Sequence, residues 1–477
     1  MSIQNYIGGE FSSVEKQIPV RNPSNGVLLG EAPDSEEHVV SLAIEAAKQA
    51  QPDWAKRTMI DRAGFLVKLA SLIRRDAESL AKYLVEEQGK TQTLAATEVG
   101  FSADYLDYMA GFARQLEGEV LPSDRPNEVI TLTYKPVGVV GAILPWNFPF
   151  FLIVRKLAPA LLTGNTVVMK PSEETPLNAA AFCALVEEAG LPAGVFNMVF
   201  GTGATVGAAI TSSPDMNLIS MTGSVNTGKK IMAAAAENLT RVNLELGGKA
   251  PAIVLEDADL DLAADAIWNS RVINTGQVCN CAEVVLVQRD VHKEFVSKLV
   301  DKFNSTKYGD TSTDADLDMG PLINSTALSR VEKFVEEAVQ EGADVLCGGE
   351  RDQTLPEGYF FKPTILDNVK KGSAITRQEV FGPVLPIVVV DDLDEALEFA
   401  NTSDYGLTSS VYTENLHHAM KAARELQYGE TYINRENFEA MQGFHAGRRN
   451  SGIGGADGKH GLLEYVETHV VYTESKL

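Results

Sequence analysis

The sequence predicts an α/β protein made of two large units packed together, and three observations carry that expectation. At 477 residues the chain exceeds what one ordinary hydrophobic core supports. From Pro136 onward, short apolar runs such as 138–144 and 166–169 show no polar alternation and are separated by stretches of helical spacing. Such runs suit strands covered on both faces of a parallel sheet. No proline- or serine-rich linker and no internal repeat interrupts the pattern, so a flexible tether is not expected.

Taken in order, residues 1–33 alternate turn signals with short apolar runs, as small strands do. Asp34-Ser-Glu-Glu37 reads as a helix N-cap followed by an acidic first turn. Apolar residues three and four apart predict amphipathic helices over 39–87 and a further one over 93–117. The stretch 125–134 alternates apolar and polar residues, which predicts a strand with one polar face. Strands at 138–144, 166–169, 195–200 and 216–221, with a helix at 178–189, form a first open sheet that should gather ligands beyond its C-terminal ends. After Glu245 the alternation resumes, with strands at 252–255 and 283–287 and helices at 290–303 and 325–341. The tail 463–472 alternates again and is expected to pair with 125–134.

Composition narrows the function. The chain is 44% hydrophobic and 22% charged, as in soluble globular proteins, and its formal charge of −24 argues against nucleic acid and anionic membranes as partners. The N-terminus lacks the basic-then-apolar run of a signal peptide, and no apolar stretch reaches the ~20 residues of a membrane span. Four scattered cysteines fit a reducing cytoplasm better than a disulfide framework. Cys279 and Cys281 have no matched histidines nearby, so no metal site is expected.

The chemistry is expected in Asn274-Thr-Gly-Gln-Val-Cys-Asn-Cys281, where small and polar neighbours leave room for an exposed thiol. By itself Cys279 is either a nucleophile or a small apolar filler. Glu245 in Leu-Glu-Leu-Gly-Gly-Lys249 offers a base, and Asn147 in Leu-Pro-Trp-Asn-Phe-Pro149 a hydrogen-bond donor. Met221-Thr-Gly-Ser-Val-Asn-Thr-Gly228 ends a strand and opens a helix, whose free N–H groups and positive dipole end suit a pyrophosphate. Gly201-Thr-Gly-Ala-Thr-Val-Gly207 misses the dinucleotide-fingerprint spacing.

In this order and register, these segments resemble the aldehyde dehydrogenase superfamily over nearly the whole chain, and among its members the bacterial ones acting on lactaldehyde or glycolaldehyde. The resemblance implies a Rossmann-type NAD domain, an α/β catalytic domain and a small β oligomerisation arm. It divides the chain into 1–117 and 138–247 for the NAD domain, 118–137 for the arm, 248–447 for the catalytic domain, and 448–477 for a C-terminal return and oligomerisation strand. A homotetramer, a dimer of dimers, or a homodimer is implied.

The same resemblance assigns roles. Cys279 would attack an aldehyde, Asn147 and the Cys279 backbone N–H would hold the oxyanion, and Glu245 would activate water to hydrolyse the thioester. Relatives that pass the acyl group to coenzyme A generally lack that glutamate, so a free acid is the expected product. Cofactor contacts fall on Leu144, Trp146, Lys170, Ser172, Glu173, Gly223, Ser224, Gly228, Glu379 and Phe381. Glu173 suits a ribose 2′-hydroxyl and would repel a 2′-phosphate, so NAD is expected over NADP. The role of Lys249 stays open.

Three tunnel positions that are aromatic in members oxidising apolar aldehydes depart here. Eight residues beyond Asn147 stands Arg155, and the other two are Glu439 and His445, the latter where the family's Pro-Phe-Gly-Gly reads Phe444-His-Ala-Gly447. Asn280 adds a polar group beside the nucleophile. Together these predict a pocket for a short polar 2-hydroxyaldehyde such as lactaldehyde or glycolaldehyde. The alternative is a semialdehyde such as succinate semialdehyde, with Arg155 clamping its carboxylate. A second departure, Gly455-Ala-Asp457 where relatives often show Arg-Glu, carries no functional reading.

Overall fold

A computed structural model describes residues 3–475. The first sheet has eight strands in the spatial order Gly452–Ile453, Arg241–Glu245, Leu218–Thr222, Val139–Ile143, Thr166–Lys170, Phe196–Met198, Asn5–Ile7 and Glu10–Ser12. Its middle five strands are mutually parallel, with Leu218 in register with both Val140 and Arg241. Along the chain Val139–Ile143 comes first, yet its neighbours are the second and the fourth of these five strands. The strand order therefore reverses between Val139–Ile143 and Leu218–Thr222, and a crevice opens beyond their C-terminal ends. The loop carrying Asn147 leaves one of those ends, and Gly223 leaves the other.

The seven-stranded second sheet runs Asp344–Cys347, Thr364–Asp367, Val384–Val390, Ala282–Gln288, Ala250–Val254, Thr408–Tyr412 and Glu430–Ile433, parallel except for the first pair. Ala250–Val254 and Ala282–Gln288 are buried at every residue, which is why their sequences show no polar alternation. The helix Pro149–Thr163 is likewise buried throughout. Proline at its first turn and left-handed Gly164 (φ +99°) fix its limits.

The tail strand Val466–Glu474 pairs antiparallel with Glu128–Pro136, as expected, from Val466↔Pro136 to Glu474↔Glu128. With Glu119–Leu121 they make a third, three-stranded sheet. The reading of Asp34–Glu37 as a cap is corrected. Helix Glu37–Lys56 begins after Glu36, which makes no side-chain cap bond. Asp34 instead pairs with Lys16, and Ser35 accepts a 2.9 Å hydrogen bond from Asn5. Tertiary partners outcompete the local cap there.

Candidate active site

Helix Leu260–Val272 ends in Asn274, Thr275 and Gly276, all left-handed (φ +48°, +60° and +72°), before the chain enters Ala282–Gln288. This tight path sets Cys279 in a short loop, partly exposed, while Cys281 is buried with its thiol 3.0 Å from the Val278 carbonyl. Gly276 has to be glycine, since a Cβ there would lie 2.3 Å from the Gly382 carbonyl oxygen. Gly248 packs against the Cys279 carbonyl, where a Cβ would come within 2.4 Å.

Asn147 follows the strand Val139–Ile143 and precedes the buried helix. Its side-chain nitrogen donates to the Gln277 carbonyl at 3.0 Å, which uses one N–H and leaves the other free among the described residues. The Asn147 carbonyl accepts from Lys90 Nζ at 2.8 Å and Asn274 Nδ2 at 3.1 Å. Lys90 in turn pairs with Glu98, whose other oxygen accepts from Phe150 and Phe151 N–H at 2.9 and 3.0 Å. A buried ion pair thus anchors the turn that carries the amide.

Glu245 ends its strand opposite Thr222 and accepts that hydroxyl at 3.0 Å. Burial raises its carboxyl, but Lys156, Arg155 and His445 together with the Thr222 bond outweigh it and hold the group below the usual range. Burial pushes the Cys279 thiol up, and the nearby His445 ring reverses only part of that. His445 bonds Glu430 through Nδ1 at 2.7 Å. Burial lowers its pKa, yet Glu439 and the Glu430 bond keep the ring charged well above its ordinary range.

Two cavities meet at Cys279, and Asn147 and Thr222 line both. The first, about 790 Å³, also contains Arg155, Glu245, Asn280 and Glu439. Arg155 donates from Nε to Asp457 at 2.9 Å, pairs with it again through a second nitrogen, and lies 3.5 Å from Glu439 and 3.9 Å from Glu245. Asn280 donates to the other Glu439 oxygen. Phe101, Phe148, Phe151 and Phe438 supply apolar walls, so the polar groups are concentrated near the thiol and the whole tunnel is not polar. His445 acts on the same centre electrostatically, through Cys279 and Glu245.

The second cavity, about 990 Å³, is lined by Trp146, Gly223, Ser224, Glu379 and Phe381. Ser224 caps helix Val225–Ala236 by accepting from Thr227 N–H. Lys170 and Glu173 are 2.9 Å apart at the end of the strand Thr166–Lys170. Ser172 accepts from Glu174 N–H, and Leu144 is buried with its N–H on the Lys170 carbonyl at 3.0 Å. Gly228 is buried inside helix Val225–Ala236, where a Cβ would lie 2.7 Å from the side chain of Leu246, which lines the second cavity.

Several residues that sequence reasoning missed belong to the site. Asp457 neutralises Arg155, and its only signal in the sequence is the departure from the family at 455–457. Lys156 bonds Ser220 at 3.1 Å and acts electrostatically on Glu245. Arg330 and Asn324 line the second cavity and sit in a helical stretch with no local hint of a ligand.

The comparisons agree with this architecture. The model of the aldehyde dehydrogenase family matches residues 11–471. Lactaldehyde dehydrogenase of Escherichia coli (strain K12) is 55% identical, covering 98% of each chain. The crystal structure of lactaldehyde dehydrogenase from Escherichia coli superposes with a TM-score of 0.98 at 55% identity, over 99% of each chain. A 3,6-anhydro-L-galactose dehydrogenase in complex with NAP gives 0.96 at 43% identity, over 99% of this chain and 100% of that one. A thiol, an amide and a carboxylate converging between two cavities, on a scaffold matched from end to end, place this chain in the aldehyde dehydrogenase family.

Proposed function

We propose that the chain oxidises a short 2-hydroxyaldehyde, lactaldehyde or glycolaldehyde, to its carboxylic acid with NAD. The observation that carries this reading is the polar cluster of Arg155, Asn280, Glu439 and His445 beside Cys279. A 2-hydroxyl can both donate to Glu439 and accept from Asn280 or His445, whereas an alkyl chain displaces water from their remaining hydrogen-bonding positions and offers nothing in return. Each such group costs about 1–3 kcal/mol.

In this reading Cys279, once deprotonated, adds to the aldehyde carbon, and the carbonyl π electrons move to oxygen. The free N–H of Asn147 and the Cys279 backbone N–H hold that oxyanion. Bound NAD would supply the hydride acceptor, and as the oxyanion collapses back to a carbonyl a thioester is left on Cys279. Glu245 takes a proton from water as the water oxygen attacks the thioester, the C–S bond breaks, and the acid departs.

The residues fit the dinucleotide. A capped helix start at Gly223 and Ser224 faces the large cavity, and Lys170 and Glu173 stand at the end of a strand two places along the same sheet. Burial raises Glu173, but Lys170 beside it brings the carboxyl below its ordinary range, so it stays charged and disfavours a 2′-phosphate. Glu379 would hold the other ribose, with Phe381 beside it. Burial and the charge of Glu283 push Glu379 up to about 7. Below that value it is a neutral acid; above it, a carboxylate that accepts from two hydroxyls. The KM for NAD is therefore expected to fall about fivefold from pH 6 to pH 8 in wild type and to stay flat in Glu379→Gln.

The proposed division keeps 1–117 and 138–247 as the cofactor unit, 248–447 as the catalytic unit and 448–477 as the return. The arm at 118–137 with Val466–Glu474 would join copies into a dimer or tetramer. Supporting this, Val120, Val129 and Tyr472 are exposed on the three-stranded sheet, and Val466–Glu474 is an edge strand. No described helix is long and apolar enough to cross a membrane, and the cysteines are free thiols, which suits the cytoplasm.

The semialdehyde alternative loses support, because Arg155 already faces three carboxylates and a fourth from the substrate would meet net repulsion. The test is NADH formation with glycolaldehyde, lactaldehyde, succinate semialdehyde, hexanal and benzaldehyde, repeated with NADP. The hydroxyaldehydes are expected to lead in kcat/KM by about tenfold or more. Faster turnover of hexanal or benzaldehyde would sink the reading.

A further inference from the structure

Lys249 lies outside both cavities, yet its charge is not idle. Its Nζ sits 2.7 Å from Glu283 Oε2, and Arg271 approaches Glu283 Oε1 at 2.8 Å; all three side chains are 0–1% exposed. The same carboxylate accepts from the successive backbone N–H groups of Val380 (2.9 Å) and Phe381 (3.2 Å). Arg271 also donates to the carbonyls of Gly276 (2.6 Å) and Ala282 (2.7 Å), the two ends of the loop that holds Cys279. One buried triplet therefore grips both flanks of the nucleophile loop and the turn of Glu379-Val-Phe381.

Stability alone does not account for it. A buried ion triplet returns roughly what its desolvation costs, and apolar side chains would fill the space as well. What apolar groups cannot do is fix backbone polar atoms. Phe381 is left-handed (φ +53°), a conformation that a bulky residue adopts only when held. Two consecutive N–H groups on one carboxylate supply that hold. Glu379, two residues earlier, accepts from Gly248 N–H at 2.9 Å, and Gly248 packs on the Cys279 carbonyl. The segments 247–249, 276–283 and 379–382 thus form one block around Glu283.

We propose that Glu283, anchored by Lys249 and Arg271, is a positioning residue that sets the spacing between the Cys279 loop and the Glu379–Phe381 turn, and with it the alignment of the aldehyde C–H toward the bound dinucleotide. This rests on the reading of Cys279 as nucleophile and of Glu379 and Phe381 as nicotinamide-side contacts. It absorbs Lys249, whose place in Glu-Leu-Gly-Gly-Lys is then to fix that block and not to touch substrate.

Glu283→Gln tests it. The amide keeps the shape but presents N–H groups to Lys249 and to the Val380 N–H, both donors, so the 380–381 turn loses its hold. NADH binding, measured by calorimetry, is expected to weaken about tenfold, the scale of one charge-assisted hydrogen bond. The kinetic isotope effect on kcat with 1-deuterated aldehyde should rise as C–H cleavage becomes slower than the steps around it. Alkylation of Cys279 by iodoacetamide in the apoenzyme should stay within about twofold of wild type, because Arg271 still bonds Gly276 and Ala282.

A general loss of structure would lower the melting temperature without this split. Should the single variant fail to fold, Glu283→Gln with Lys249→Met removes the uncompensated charge and is read in the same way. A folded variant, single or double, with wild-type NADH affinity and isotope effect overturns the proposal. Equal loss of alkylation and of NADH binding overturns it too. Absence of NADH formation by the wild-type enzyme would instead remove the functional reading on which it rests.

Discussion

Glu245→Gln is expected to release about one NADH per active site in a rapid burst and then to turn over roughly 100- to 10,000-fold more slowly than wild type, the range of a lost general base. The reason lies in how the two groups are held. The charged His445 ring nearby favours the Cys279 thiolate, while Glu245 is engaged by Thr222 and flanked by Arg155 and Lys156. Thiol addition and C–H cleavage can thus proceed without the carboxylate, and hydrolysis of the thioester cannot. Because its neighbours hold Glu245 below the ordinary carboxylate range, it is ionised throughout pH 6–9, so the deficit should not vary with pH across that window. Stopped-flow measurement of NADH with glycolaldehyde decides the matter. Loss of the burst would mean that Glu245 also deprotonates the thiol.

The second large effect is expected at Asp457→Ala. Asp457 holds Arg155 through two nitrogens in a fully buried site. Removing one member of a buried pair leaves a charge without its partner, which costs about 3–5 kcal/mol. The freed guanidinium would turn to Glu439 and Glu245 and disturb the groups that face substrate. Arg155→Met combined with Asp457→Leu removes both charges at similar volume and should recover most of the stability while losing preference for hydroxyaldehydes. Urea denaturation of the single and double variants, with kcat/KM for glycolaldehyde and hexanal, separates the two contributions. Equal midpoints for wild type and Asp457→Ala would show that Arg155 finds full compensation elsewhere.

Much of the fold was legible because burial leaves a mark on composition. Strands such as Val139–Ile143 and Ala282–Gln288 are covered on both faces and carry apolar runs (284–287 in the latter), whereas Glu128–Pro136 has one solvated face and alternates. The pairing of the tail with that strand followed from matching alternation. The cap at Asp34–Glu37 misled because Lys16 and Asn5, distant in the chain, claimed the side chains that a local reading gave to the helix.

From the sequence by itself came the two α/β units, the order of the segments bearing Asn147, Glu245 and Cys279, and the polar substitutions at 155, 280, 439 and 445. Periodicity and motif spacing are local properties, and local physics suffices to read them. Only the tertiary structure decided where the charges go. It pairs Arg155 with Asp457 across 302 positions, holds His445 on Glu430, and gathers Lys249, Arg271 and Glu283 into one buried triplet. Coulomb interactions between buried groups depend on distance and desolvation in space, and neither is encoded in separation along the chain.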